Sequence, residues 1–345
     1  MSSATTDDSP ADIPPVWVLA DPRAGTAAQA LGLAERLGLP FAIKRLGWTA
    51  LARLPNLLPG GSLVGLTPEA KASLAPPWPR LVIAAGRRAA PVALWLKRRA
   101  GARLVHVMRP GVAPGRFDLL VIPRHDRAQP APNVIEVIGA PHRVTAAALA
   151  QAADAWALRV AHLPRPRVAL LVGGPVRAEG LPPALARDLA TRVAALAVEA
   201  GGSVLATTSR RTGAAAEEAL AEGLGAVPHL LHRFGGCGDN PYAGFLGLAD
   251  AVVVTGDSVS MLSEACATAA PVFFWSPPGL AGHRHARFHA SLVAAGLAAP
   301  LGDTLEGEER ERLDEAGRVA AEIRARGLLR SPTPVQAPAR RGRTA

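Results

Sequence analysis

From residue 16 onward, short apolar runs alternate with helix-length amphipathic stretches. Residues 16–20 (VWVLA) read as a buried strand. In 26–37, Ala27, Ala30, Leu31, Ala34 and Leu37 fall near a 3.6-residue period, which predicts a helix. The same alternation predicts strands over 41–46, 81–85, 103–108, 119–122 and 134–137. It predicts helices over 87–100 and 145–161, with a short one at 68–74 inside the Pro- and Gly-rich loop 55–79. His162-Leu163-Pro164-Arg165-Pro166-Arg167 then breaks the pattern, because residues before proline avoid the helical region. The pattern restarts with strands over 168–172, 203–207, 229–232, 251–255 and 272–275. Helices are predicted over 183–200, 213–221, 241–249, 258–268, 283–295 and 305–329. Alternating strands and helices predict α/β architecture with parallel sheets covered on both faces. The expected organisation is a disordered start (1–14), a basic Rossmann-like domain (15–161), a linker (162–167), a second Rossmann-like domain (168–330) and a disordered basic tail (331–345). The two domains are expected to face a cleft.

Composition narrows this picture. The 345 residues are 49% hydrophobic and 19% charged, enough for two cores and too apolar for a disordered chain. Aromatics are 4%, which argues against stacking nucleic-acid bases. Two cysteines, Cys237 and Cys266, exclude a disulfide framework and a Cys-rich zinc site. No secretory signal or apolar run of membrane-spanning length is visible, so the expected setting is the cytoplasm, with the inner-membrane surface as an alternative. The net charge of +10 is unevenly placed: residues 1–166 carry 20 Lys and Arg against 10 Asp and Glu, and residues 167–345 carry 18 of each. Nearly all the basic residues are arginine, whose planar fork suits phosphate.

In open α/β sheets ligands sit beyond the carboxyl ends of the strands, so candidate chemistry lies in the loops that follow strands. Asp21-Pro22-Arg23-Ala24-Gly25-Thr26 opens a helix; it is either an anion seat using Arg23 and Gly25 or a tight turn capped by Asp21 or Thr26. Gly86-Arg87-Arg88 puts two cations at a helix start against the macrodipole, a conflict that an anion relieves or solvent screens. Arg124-His125-Asp126 is a candidate general-base pair or a plain loop histidine. Gly173-Gly174 permits close approach to a ligand or forms a simple turn. Thr207-Thr208-Ser209-Arg210-Arg211-Thr212 has the composition of a phosphate cradle. In Thr255-Gly256-Asp257-Ser258-Val259-Ser260, Asp257 or Ser258 can cap the next helix, and Glu264 shares a face with Ser260. Helix-start hydroxyls suit a diphosphate and the glutamate suits ribose hydroxyls; otherwise Glu264 is solvated. His283, His285 and His289 are read as a solvated face rather than a metal site. No dinucleotide fingerprint, P-loop or D-x-D pair occurs, so no cofactor and no metal are expected.

The stretch 240–272 (NPYAGFLGLADAVVVTGDSVSMLSEACATAAPV) resembles the plant "elongated mitochondria" fission family and its bacterial homologues. Ser209-Arg210-Arg211-Thr212, Gly173-Gly174-Pro175, Asp21-Pro22-Arg23-Ala24-Gly25 and Pro123-Arg124-His125-Asp126 support the resemblance. Ala269-Ala270 replaces the usual Gly-basic pair, and Met108-Arg109-Pro110 is an atypical strand end. The resemblance implies a glycosyltransferase-B-like fold whose second domain holds a nucleotide-sugar donor, with Glu264 at the place of the ribose-binding glutamate. Plant members are linked to mitochondrial fission through a membrane-remodelling partner, and bacterial members are often labelled nucleoside-diphosphate-sugar epimerases. The expected activity is a metal-independent glycosyltransferase-like reaction on a nucleotide-diphosphate sugar. The acceptor would be anionic, on a membrane or lipid-linked, and met by Arg23, Gly25, Arg87 and Arg88, with His125, Asp126 or Asp21 as the catalytic candidates. A non-catalytic membrane adaptor and an epimerase are the alternatives; nucleic acid is not an expected partner.

Overall fold

The computed structural model describes residues 15–53, 60–175, 180–307 and 310–329. The terminal segments 1–14 and 331–345, expected to be disordered, lie outside them. The first sheet begins with β1 (Val16–Ala20), followed by α1 (Ala24–Leu37) and β2 (Phe41–Arg45). Next come α2 (Pro68–Ala72), β3 (Leu81–Ala85), α3 (Ala89–Ala100), β4 (Arg103–Val107), β5 (Leu119–Pro123) and β6 (Val134–Val137). Gly38 and Gly101 close α1 and α3 in the left-handed conformation that glycine adopts without a Cβ penalty. The strand order is β2-β1-β3-β4-β5-β6, with β1 paired in parallel to both β2 and β3.

The chain continues through α4 (Ala146–Ala157), capped by Thr145. The second sheet starts with β7 (Arg167–Val172), α5 (Pro183–Glu199), β8 (Ser203–Thr208), α6 (Ala214–Leu224) and β9 (His229–His232). It is completed by α7 (Tyr242–Leu248), β10 (Ala251–Thr255), α8 (Val259–Ala265), β11 (Val272–Trp275), α9 (His283–Ala294) and β12 (Ala299–Pro300), before α10 (Glu315–Ala325). Its order is β12-β11-β10-β7-β8-β9, and every pair is parallel. Alternate residues of β7 enter different cores. Val168, Leu170 and Val172 pack with Leu189 and Val193 of α5 and Leu220 of α6. Ala169 and Leu171 pack with Leu262 of α8 and with Phe288 and Leu292 of α9. A strand buried on both faces reads as a continuous apolar run, which is why β7 and β10 were visible in the sequence.

Backbone contacts group the chain into two compact units. One runs up to Val121 and includes 130–135 and the chain from Val319; the other comprises 122–129 and 136–318. The second sheet starts at Arg167, the last residue of the expected linker 162–167, and the units are not contiguous in sequence. α4 packs on α7 in the second unit, where Trp156 meets Phe245 edge-on at 5.8 Å. Three local readings change. The helix expected over 305–329 begins only at Glu315, because Leu313 N–H bonds to the Cys266 carbonyl and Arg310 bonds to the carbonyls of Cys266 (2.8 Å) and Ala270 (3.0 Å). β12 was not foreseen. α1 has no side-chain cap; Asp21 accepts from the Arg23 N–H instead. No helix among the described residues is long and apolar enough to cross a membrane.

Candidate functional site

The order of the second sheet places its topological switch between β7 and β10, whose following helices pack on opposite faces. A crevice for ligands is expected at such a point. Three loops meet there. After β7, the Gly173 N–H donates to Thr255 Oγ1 (2.7 Å) and the Gly174 N–H to Asp257 Oδ2 (2.9 Å). After β8, the Arg211 guanidinium lies 3.1 Å from Asp257 Oδ2 and also donates to the Gly174 carbonyl. Thr212 Oγ1 is 3.0 Å from the Val172 carbonyl oxygen and 2.8 Å from that of Gly173, and it accepts the Ser209 N–H at 2.9 Å. Ser209 Oγ accepts the Arg211 N–H (3.2 Å). Both glycines are sterically required. A Cβ at 173 would sit 2.7 Å from each Asp257 carboxylate oxygen, and one at 174 would sit 2.0 Å from the Arg211 carbonyl oxygen.

After β10, Ser258 Oγ caps α8 by accepting the Met261 N–H (3.3 Å). Ser260 stands half-buried in the first turn, and Glu264 one turn further on. Glu264 was expected to be solvated or to meet a ribose. It is half-buried, and Tyr242 Oη donates to its Oε2 at 2.5 Å. Burial lifts the Glu264 carboxyl above the usual carboxylate range, with the Tyr242 bond pulling the other way. Burial, and then the Glu264 charge, push the Tyr242 phenol well above its ordinary value. The Asn240-Pro241-Tyr242 segment was visible in the sequence, but its tie to Glu264 across 22 positions was not.

α9 closes one side of the loop group, which corrects the reading of its histidines as a solvated face. His283 is exposed, but His289 is buried, stacked on Phe274 at 4.4 Å, with Nε2 2.8 Å from the Gly256 carbonyl oxygen. His285 is half-buried near Asp257; burial lowers its pKa, and the Asp257 charge opposes that. The 3.6-residue pattern of α9 held this signal, since His285 and Phe288–His289 lie on its core-facing side.

The segment after β5 belongs to the same compact unit. His125 Nε2 and Asp126 Oδ1, a candidate general-base pair or a plain loop histidine by sequence, lie 3.8 Å apart, outside hydrogen-bonding distance. Asp126 is ion-paired with Arg284 of α9 (2.5 Å), and Arg287 donates to the His125 carbonyl (2.9 Å). The His125 ring packs edge-on against Phe288 at 5.3 Å; burial lowers its pKa to about 4, so it is neutral at pH 7.

The first unit has its own switch point, between β1 and β3. There Asp21 is buried and saturated with donors: the Arg23 N–H (2.9 Å), Trp48 Nε1 (3.0 Å) and Arg88 Nη2 (3.0 and 3.1 Å). The Asp21 carboxylate supplies the anion that relieves Arg88 at the start of α3. Arg23, Gly25 and Arg87 are exposed around it. In the second unit, Arg210 is likewise exposed. No cluster of three or more His, Cys, Asp or Glu side chains with metal-binding geometry occurs among the described residues. A cavity of about 460 Å³, lined by Val168, Leu196, Glu199, Asp250, Ala251 and Leu305 among others, opens at the amino ends of β7 and β10, the opposite end from these loops.

Comparison with known proteins agrees with this architecture. The family model for "Mitochondrial fission ELM1" matches residues 24–327. The Mitochondrial fission protein ELM1 of Arabidopsis thaliana is 31% identical over 284 residues, 70% of this chain and 65% of the relative; the match thus spans just under two thirds of that relative. An uncharacterized protein of Rickettsia prowazekii (strain Madrid E) is 25% identical over 90% of this chain and 97% of its own. Among solved structures, the UDP-GlcNAc 2-epimerase of Neisseria meningitidis bound to UDP-GlcNAc superposes with a TM-score of 0.54 at 13% identity, covering 91% of this chain and 99% of that one. The Methanocaldococcus jannaschii UDP-GlcNAc 2-epimerase, in complex with UDP-GlcNAc and UDP, gives 0.51 at 12% identity over 90% and 99%. At such identity the likeness is one of fold, the glycosyltransferase-B-like arrangement of two Rossmann-like parallel sheets.

Proposed function

The chain belongs to the mitochondrial fission ELM1 family, and from that premise we propose that its second unit binds a nucleotide-diphosphate sugar at the carboxyl ends of β7, β8 and β10. The observation that carries the reading is the meeting of Gly174, Arg211 and Asp257 at the β7–β10 switch point, with Glu264 further along the helix from the same loop. Arg211, Arg210 and Ser209 would face the diphosphate, with Gly173, Gly174 and Thr212 shaping the floor. Ser258 and Ser260 would add the start of α8, and Glu264 would accept from ribose hydroxyls. With no D-x-D pair in the chain, arginine forks and backbone N–H groups would stabilise the leaving diphosphate. The fold of the UDP-GlcNAc 2-epimerases, which carry such ligands, supports the choice of ligand class.

In the glycosyltransferase-like reaction the anomeric carbon–oxygen bond breaks, the diphosphate leaves with both electrons, and an acceptor hydroxyl attacks and loses its proton to a base. Asp21 and Asp126 are committed to Arg88 and Arg284, which leaves neutral His125 as the candidate base. Arg23 and Arg87 would bind an anion at the first unit's own switch point. Calorimetry against a panel of nucleotide sugars, UDP-GlcNAc included, tests the donor site. Saturable binding to at least one is expected, weakened about tenfold or more in Arg211→Ala and Glu264→Ala, the loss typical of a charge-assisted hydrogen bond. No binding by the wild type, or unchanged affinity in both variants, would overturn it.

A further inference from the structure

The seat at the β7–β10 switch point already holds an anion, which is the protein's own. Asp257 Oδ2 accepts the Gly174 N–H at 2.9 Å and lies 3.1 Å from the Arg211 guanidinium. A backbone N–H from a glycine turn and an arginine fork are the two donor types that recur in phosphate cradles. The seat is shaped for this carboxylate, since only glycine at 173 leaves room for it. We infer that Asp257 is an internal competitor for the ligand phosphate: its carboxylate fills the cradle of Arg211 and Gly174 when the site is empty, and a diphosphate binds by displacing it. The inference rests on the donor-site reading above and concerns how that site is regulated.

Two further features fit a displaceable occupant. Asp257 is only 3% exposed at its side chain, yet Oδ1 has no hydrogen-bond partner among the described residues. A carboxylate that satisfies the cradle with one oxygen and leaves the other without a donor is held less firmly than a fully bonded one. A phosphate presents more acceptor oxygens and a larger charge to the same donors. Arg211, at 29% exposed, is also partly shielded from water, so an empty seat with no counter-charge would be costly. Asp257 supplies that charge, and exchange of one anion for another avoids desolvating a bare guanidinium. Asp21 is not equivalent, because both of its oxygens are fully bonded.

The test is Asp257→Asn, which keeps an oxygen for the Gly174 N–H and removes the charge. Affinities for inorganic pyrophosphate and for UDP are measured by calorimetry on the full chain, with thermal melting as a check on folding. Pyrophosphate is expected to bind the variant about tenfold more tightly than the wild type, ~1.4 kcal/mol. Wild type that binds UDP, with a variant that binds pyrophosphate no better or worse, overturns the inference and leaves the donor site standing. Tighter pyrophosphate binding by the variant, with no UDP binding by either protein, supports the competitor and overturns the nucleotide reading. No binding of either ligand to either protein overturns both. Should the variant fail to fold, the ¹³C carboxylate resonance of Asp257 in the wild type replaces it: a shift on saturation with pyrophosphate supports displacement, and an unmoved resonance at saturation overturns it.

Discussion

Asp21, Asp257 and Glu264 are three buried or half-buried acids placed after parallel strands, and each is settled differently. Asp21 takes donors at both oxygens, including Arg88, so it serves as a tie between two loops rather than a free base. Removing one partner of such a pair leaves an uncompensated charge, which is more damaging than the pair is stabilising. Asp257 is bonded at one oxygen. Glu264 shares its proton economy with Tyr242, the only tyrosine in the chain, so the pair can be followed by absorbance near 295 nm without interference from another phenol. The phenol's pKa is raised by burial and by the Glu264 charge. Its contribution to stability is therefore present below the unfolded tyrosine value, about 10, and is lost as pH rises through the folded one. The folded protein is expected to show no tyrosinate near pH 10. Glu264→Gln should lower the onset, because the repelling charge is gone while burial remains. Ordinary titration near pH 10 in the folded wild type would contradict this pairing.

At the scale of elements, the β7 turn is the piece on which the loop group depends. A Cβ on Gly174 would meet the Arg211 carbonyl oxygen at 2.0 Å and its carbon at 2.6 Å, and backbone cannot move aside as a flexible side chain can. Gly174→Ala is expected to lower stability by about 1–3 kcal/mol, as overpacking does, and to weaken nucleotide binding by spreading the β7 and β8 loops. Gly302→Ala, with nothing within 4 Å of its added Cβ, is the control and should change neither. Urea unfolding and calorimetry on both variants check this; a Gly174→Ala protein as stable and as competent as the control would contradict it. The strands and the loops that end them were legible because central strands such as β3, β7 and β10 carry apolar residues on both faces, and because Gly, Ser and Arg cluster where strands stop. The partners were not legible. Arg211 with Asp257, Tyr242 with Glu264, and Arg284 with Asp126 are 46, 22 and 158 positions apart, and no local pattern encodes such distances. The helix expected over 305–329 starts at Glu315, because Arg310 and Leu313 are held by carbonyls around the end of α8, and tertiary contact prevails over local propensity.

Across the whole molecule, two parallel sheets of six strands carry two different orders, and each switch point is bridged internally by an aspartate and an arginine. This arrangement refines the charge asymmetry read from the sequence. The basic excess lies in residues 1–166, but Arg88 there is already neutralised by Asp21, and Arg23 and Arg87 are exposed at that switch point. In the neutral half, residues 167–345, Arg211 is in balance with Asp257. Family and fold class were recoverable from the 240–272 block and the alternation of elements, whereas the ligand rests on site geometry. The most direct measurement is therefore a crystal structure of the chain with UDP-GlcNAc or the best-binding nucleotide sugar. Diphosphate density is expected between the β7, β8 and β10 loops, with Arg211 on its oxygens, Asp257 withdrawn from Gly174, and the Glu264 carboxylate on the ribose hydroxyls. A nucleotide bound elsewhere, with the Asp257–Arg211 pair intact, would contradict it.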